Sequence, residues 1–364
     1  MHAKKHRLTA LLAGVTLALT GCGGGIVAGG SADGERALTV TLYTPETSSV
    51  SAAVRHWGDA VAEATDGRIE FTYNYNGGLL AADDTLQGIG DGRADLGLIG
   101  ALYYENQLPL TSITSVPYLV ENPLAGMRAL KEMYDTSAEM EAEYERNGVR
   151  PLFFLPARNA LLGASDAPIE GLDDLQGRST RASGIFSLAV SAAGANPVSV
   201  NFNELYESLD RGVVDSFTGI LLDSVETAGL YEVAPYVSHP RQGLLTTYPV
   251  SINTEVWQSL PEDVRAIMDD AADEALDAYF VKEAEAQASA CDVIEEADGS
   301  VTLWDDANVT AWQDAIGDTL IDTWRERVGA SAEEFEVAYR DSLTALEAET
   351  ALPEDGVAEC AARF

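Results

Sequence analysis

Alternating strands and helices recur in two successive series along residues 38–220, and that recurrence restricts the chain to an α/β fold on largely parallel sheets. Residues 38–43 alternate as a strand. Residues 49–65 read as a helix ended by Asp66-Gly67, and 68–75 alternate again with Ile69, Phe71, Tyr73 and Tyr75 on one face. A Gly77-Gly78 turn, a short helix over 82–89 and an apolar strand over 96–99 complete a β-α-β-α-β order. Ligands on such sheets sit beyond the carboxyl ends of the strands, which points to Tyr43, Gly77, Gly100 and Tyr103.

The second series begins with a helix over 122–146 and strands over 151–155, 161–164 and 179–182. A helix over 187–193, a strand over 198–200, a helix over 204–211 and a strand over 216–220 follow. Residues 243–253 are strand-rich and are expected to cross back to the first lobe. A very long helix starts after Leu260-Pro261, with Pro at its first turn, and extends to about residue 297. Two helices over 309–327 and 332–347 close the chain. The expected organisation is two hinged α/β lobes with a cleft between them, braced by the long helix. The first lobe takes residues 38–157 with about 247–280, and the second takes 158–246 with about 281–364 and the C-terminal helices.

The amino terminus carries Lys4, Lys5 and Arg7 without an acid, followed by the mostly apolar run 8–19, which reads as a signal peptide over residues 1–21. Leu19-Thr20-Gly21-Cys22 resembles the bacterial lipobox, so Cys22 is the expected lipidation site. Residues 22–37 are rich in Gly, Ala and Ser and read as a flexible tether. No later segment is apolar over eighteen residues, so lipid on Cys22 is the expected membrane attachment on the outer face or in the periplasm. The remaining cysteines, Cys291 and Cys360, are either a candidate disulfide of an oxidising compartment or two unpaired buried thiols.

Fifty-nine acidic against 22 basic residues give a formal charge of −37, which excludes nucleic acid as a partner. Beyond the leader, the lysines are Lys131 and Lys282, so an anionic ligand would be held by individually placed arginines. Salt screens the field of distant acids over roughly 8 Å, whereas a contact at hydrogen-bond distance is unaffected. Catalytic signatures are missing: no Gly-x-Ser-x-Gly, no His-Glu-x-x-His and no Cys-x-x-Cys occurs. Beyond the leader the histidines are His56 and His239, far apart in sequence, leaving few members for a metal site or a general base. No cofactor or metal is expected. Arg181 stands inside an apparent strand, where a charge is costly unless it is exposed or finds an anion. Its planar fork suits a carboxylate, and the alternative is an edge-strand residue in water or paired with Asp215 or Glu204. Arg158, after the apolar strand over 152–155, has the same ambiguity.

The segment Pro168-Ile169, Asp174-Leu175, Gly177 and Arg181, followed by Gly194-Ala195-Asn196-Pro197-Val198, Glu204-Leu205-Tyr206, Leu209, Gly212, Val214-Asp215, Asn253, Trp257 and Leu260-Pro261, resembles the solute receptors of tripartite ATP-independent periplasmic (TRAP) transporters, the DctP-like family. The resemblance spans about residues 38–297 and is strongest from Pro168 to Pro261. It implies a periplasmic-binding-protein-like (type II-like) fold, a carboxylate ligand gripped by Arg181 with Arg158 assisting, and a permease with a small and a large membrane subunit as partner. After Asp215 this chain reads Ser216-Phe217-Thr218-Gly219 where the family commonly carries Gly and then Asn, so Phe217 or Thr218 is expected to line the pocket. An aromatic wall there favours an organic acid with an apolar or cationic portion. The expected function is capture of a small organic acid for transport, without enzymatic activity. A binding module for a membrane sensor kinase, or a secreted hydrolase using His56 or His239, are the alternatives.

Overall fold

The computed structural model describes residues 35–364; the signal peptide, Cys22 and most of the tether lie outside the described residues. Strand β1 (Arg36–Thr41), helix α1 (Ser49–Ala64), β2 (Ile69–Asn74), α2 (Thr85–Gly90) and β3 (Leu96–Leu98) follow in the expected order. Helices α3 (Pro123–Thr136) and α4 (Ala138–Glu145) then lead into β4 (Val149–Arg158). These two were expected as one helix. Ser137 divides them: its backbone is extended, and its hydroxyl caps α4 by accepting from the Met140 amide.

Across a short turn comes β5 (Leu161–Ala164), then α5 (Leu172–Leu175), β6 (Ser179–Arg181), α6 (Phe186–Ala192), β7 (Asn196–Val198), α7 (Leu205–Asp210), β8 (Ser216–Ile220), α8 (Leu222–Thr227) and β9 (Tyr236–His239). The chain returns through β10 (Leu244–Asn253), α9 (Thr254–Ser259) and the 35-residue α10 (Glu262–Glu296). It ends with β11 (Ser300–Leu303), α11 (Asp306–Ile316), α12 (Thr319–Val328), α13 (Ala332–Glu349) and α14 (Gly356–Ala361). Gly317, at φ +50°, separates α11 from α12, which the sequence had suggested as a single helix.

Two sheets result, one of five strands ordered β2-β1-β3-β10-β4 and one of six ordered β11-β9-β5-β8-β6-β7. Strands β1, β2 and β3 run parallel, while β10 inserts antiparallel between β3 and β4. The first sheet packs on α1, whose Val50, Ala53, Val54, Trp57 and Val61 form a buried stripe at helical spacing. Trp57 also donates from its indole nitrogen to the Met268 carbonyl of α10 at 3.1 Å. Leu205, Phe217, Val225, Val237 and Ile294 form a second core cluster.

The chain passes between the sheets at 158–161 and again at 239–244, and the two passages are bonded, Asn159 N–H to the Gly243 carbonyl at 3.1 Å. Asn159, Arg241 and Gly243 all have positive φ there. Helix α10 spans both lobes, packing on α1 and β4 and then on α8 and α14. The C-terminal helices differ from the sequence expectation of a continuous second-lobe block. Helices α12 and α13 return to the first lobe, where Trp324 donates to the Pro109 carbonyl at 2.8 Å and Tyr339 to that of Gly126 at 3.3 Å. Buried indole and phenol donors need such acceptors, and these lie just before the 3₁₀ turn Thr111–Ser115 and within α3. Cys291 on α10 and Cys360 on α14 are joined as a disulfide with Cα atoms 5.7 Å apart.

Candidate functional site

Where the two sheets face each other lies a cavity of about 30 Å³. The first lobe contributes Tyr43 and Thr44 just beyond β1, and Leu102 and Tyr103 from a 3₁₀ turn after β3. From the second lobe come Arg181 at the end of β6, Phe202, and Gly219 to Leu221 at the end of β8, with Ser224. Leu245 and Tyr248 enter from β10. Carboxyl ends of strands therefore meet here, as parallel sheets dictate.

Arg181 is 2% exposed, and among the described residues no carboxylate lies within ion-pair distance of it. Its Nε donates to the Val200 carbonyl at 3.0 Å, Nη1 to the Thr218 carbonyl at 3.3 Å and Nη2 to the Tyr103 hydroxyl at 3.2 Å. A guanidinium has five N–H donors, so one remains on each terminal nitrogen. The fork is thus held in place by neutral acceptors, and its charge is not compensated by a protein anion.

Tyr43 is the centre of an aromatic group, meeting Tyr103, Phe202 and Tyr248 edge to face at 6.3, 6.5 and 6.4 Å between ring centres. Burial, and then the neighbouring Tyr248 and Tyr103, hold the Tyr43 hydroxyl well above the ordinary phenol range. Tyr248 moves the same way, first by burial and then through Tyr103 and Asp223. Both rings therefore present neutral hydroxyls. Gly100 permits the arrangement: a Cβ there would lie 2.6 Å from the Tyr43 hydroxyl.

Other residues singled out in the sequence fall elsewhere. Arg158 ends β4 away from the cavity, its Nε 2.6 Å from Glu283 Oε2, and both side chains are buried. Tyr279 donates to the other oxygen of Glu283 at 2.9 Å. Burial, countered by Arg158, pushes the Glu283 carboxyl up to about 7. The expected assistance of Arg158 to Arg181 is corrected accordingly: its charge is taken by a carboxylate on α10. Phe217 also needs correction. Strand alternation turns its ring into the second core, where a Cβ on Gly163 would lie 2.1 Å from it, and the aromatic walls come instead from Phe202 and Tyr248. Thr218 is fully buried and meets Arg181 through its carbonyl rather than its side chain. Gly77, at φ +66°, lies outside the cavity, 3.4 Å by its missing Cβ from Asn203 Oδ1. Phe202 opens the 3₁₀ turn Phe202–Glu204 four residues beyond Val198, the end of β7, and that place past a strand's carboxyl end was the one signal that would have found it.

Several bonds cross between the lobes around the cavity. Asp223 on α8 accepts from the Ser49 amide at 3.0 Å and the Ser49 hydroxyl at 2.6 Å, at the start of α1. Asn203 Nδ2 donates to the Tyr43 carbonyl at 3.3 Å, and Asn201 Nδ2 to Asp83 at 2.9 Å. His56 is exposed on α1, and His239 is buried with its Nε2 3.5 Å from Asp355; neither lines the cavity. Among the described residues no cluster of His, Cys, Asp and Glu suits a metal ion, and no helix is long and apolar enough to cross a membrane.

Residues 40–326 match the family model of the bacterial extracellular solute-binding proteins, family 7. A solute-binding protein of Sulfitobacter sp. is 26% identical over 251 residues, covering 67% of this chain and 74% of its own. The 2,3-diketo-L-gulonate-binding periplasmic protein of Escherichia coli is 24% identical over 303 residues, covering 82% of this chain and 90% of its own. Among solved structures, a TRAP solute-binding protein from Rhodoferax ferrireducens in complex with copurified benzoate has a TM-score of 0.78 at 18% identity, over 86% of this chain and 99% of that one. Another from Desulfovibrio salexigens, with bound orotic acid, has a TM-score of 0.77 at 22% identity, over 85% and 99%. With a family model spanning most of its length and the same two-lobe fold as these structures, this chain belongs to the bacterial extracellular solute-binding proteins of family 7.

Proposed function

We propose that the protein captures a small organic acid between its lobes, with Arg181 gripping the carboxylate, and hands it to a TRAP-type membrane permease of two unlike subunits. One observation carries the site: Arg181 is a buried cation without a counter-ion among the described residues. Burying a charge costs several kcal/mol unless an anion repays it, and the two remaining N–H groups match the two oxygens of a carboxylate. Tyr103, already bonded to Arg181, and Tyr43 meet the ligand from the opposite lobe. Such a ligand binds the closed arrangement better than an open one, and that difference drives closure. Membership of the extracellular solute-binding proteins supports a receptor's role for this site.

Native mass spectrometry of the purified mature protein, followed by calorimetry with the acid found, tests this reading. X-ray scattering should show a smaller envelope once that acid saturates the protein. A chain that binds no organic acid would overturn the proposal, and binding without compaction would overturn closure. Cys22 is the proposed lipid anchor on the outer face of the cell membrane. Cys22→Ser is then expected to leave unlipidated precursor, and normal processing and membrane recovery would refute it.

A further inference from the structure

The cavity's lining restricts which acids fit, and the restriction rests on Arg181 being the carboxylate grip. We infer that the site selects a monocarboxylate with a flat, apolar body, and that it discriminates against dicarboxylates and against hydroxyl-rich sugar acids.

Charge comes first. Arg181 is the one cation among the cavity-lining residues. The obvious second cation, Arg158, is bound to Glu283 at 2.6 Å and faces a separate groove beside Asn159 and Leu244. A second carboxylate on the ligand would therefore be buried without a partner. It would also meet an unfavourable neighbour. Asp223, 1% exposed, stands directly behind the cavity-lining Ser224, whose hydroxyl lies 3.4 Å from it. Like charges brought together in a poorly solvated space repel, and neither has water to relieve it.

Hydroxyl groups fare little better. A sugar acid carries several, each needing a partner once desolvated, and a site that recognises them supplies matching polar side chains. No Asn, Gln, Asp, Glu, His or Lys lines this cavity. Of the polar side chains that do, Thr44 is bonded to Ser51 at 2.8 Å, Tyr103 accepts from Arg181, and Ser224 faces Asp223. The hydroxyls of Tyr43 and Tyr248, and the O–H that Tyr103 still has to donate, are left to serve a ligand whose every hydroxyl needs both a donor and an acceptor. Apolar surface, in contrast, is plentiful: Leu102, Ile220, Leu221 and Leu245 close the space around the rings.

Shape points the same way. Three aromatic rings, Tyr103, Phe202 and Tyr248, stand edge to face around Tyr43, so ring faces and edges make up much of the wall. A planar body set against such a wall gains ring-to-ring contact.

The test is calorimetry on the mature chain, freed of prior ligand by unfolding and refolding, with benzoate, 4-methylpentanoate, succinate and D-glucuronate as probes. Benzoate or 4-methylpentanoate is expected to bind at least about 100-fold more tightly than succinate or glucuronate. Succinate or glucuronate binding as tightly as the better monocarboxylate would overturn the inference. Repeating the titration with Arg181→Gln separates the two readings. If succinate binds and the binding is lost in R181Q, the carboxylate grip stands and only the ligand class falls. If no probe binds the parent protein, both fall.

Discussion

Arg181→Lys isolates the geometry of the grip from its charge. The lysine ammonium keeps the positive charge but concentrates its donors on one atom, whereas the guanidinium spreads three of them over the Val200 carbonyl, the Thr218 carbonyl and the Tyr103 hydroxyl and holds two in reserve. An ammonium that reaches the carboxylate must release at least one of the two buried carbonyls, and it offers no parallel pair of donors. Losing that pair in a desolvated site is worth about 2–4 kcal/mol, or about 30- to 1000-fold in Kd. Stability of the ligand-free protein should fall by only about 1 kcal/mol, the net value of one hydrogen bond. Calorimetry with the natural acid reads the first quantity and chemical unfolding without ligand the second. Unchanged affinity would remove Arg181 from the site. A loss of affinity matched by an equally large loss of stability would instead make its role structural.

Ser49→Ala deletes the 2.6 Å bond to Asp223 that joins the lobes, a charge-assisted contact of about 1.5–3 kcal/mol, so the ligand should leave about tenfold faster or more, with Ser49→Thr restoring the parent rate; equal release rates would refute a closing role for this pair. Burial raises the Glu143 carboxyl from 4.5 to about 7 although it accepts from the Leu110 and Thr111 amides. A raised value in the folded state favours folding fully below about pH 4.5 and loses that contribution as pH rises through about 7. Relative to Glu143→Gln, the parent should therefore lose about 3 kcal/mol of unfolding free energy over that window, and parallel pH profiles would refute it. Replacing Cys291 and Cys360 together with Ala opens a loop of 69 residues and should cost about 4 kcal/mol of stability, read by denaturant unfolding under oxidising conditions; an unchanged midpoint would contradict it.

Local pattern made much of this architecture legible. Period-two runs marked β1 and β2, Pro261 marked the start of α10, and the apolar run at 243–253 marked the strand that returns to the first sheet. What stayed hidden depended on partners distant in sequence. Arg158 and Arg181 look alike as arginines near strand ends, and only the fold brings Glu283, 125 residues onward, against one of them. Phe217 lies in a strand buried on both faces, where composition does not reveal which side chain turns toward the cleft. The return of α12 and α13 to the first lobe rests on burial of Trp324, Phe335, Tyr339 and Leu343 in its core, and periodicity marks such a face without naming the partner it packs against.

Strand β10 also sets the order in which this chain becomes a protein. It lies between β3 and β4, with Val250 opposite both Leu98 and Phe153, so the first sheet stays in two pieces until residue 253 has been made. The earlier strands have exposed edges until then, and such long-range pairing is slow because the intervening loop must close before any contact rewards it. About 70% of the chain must therefore be present before its amino-terminal lobe can lock.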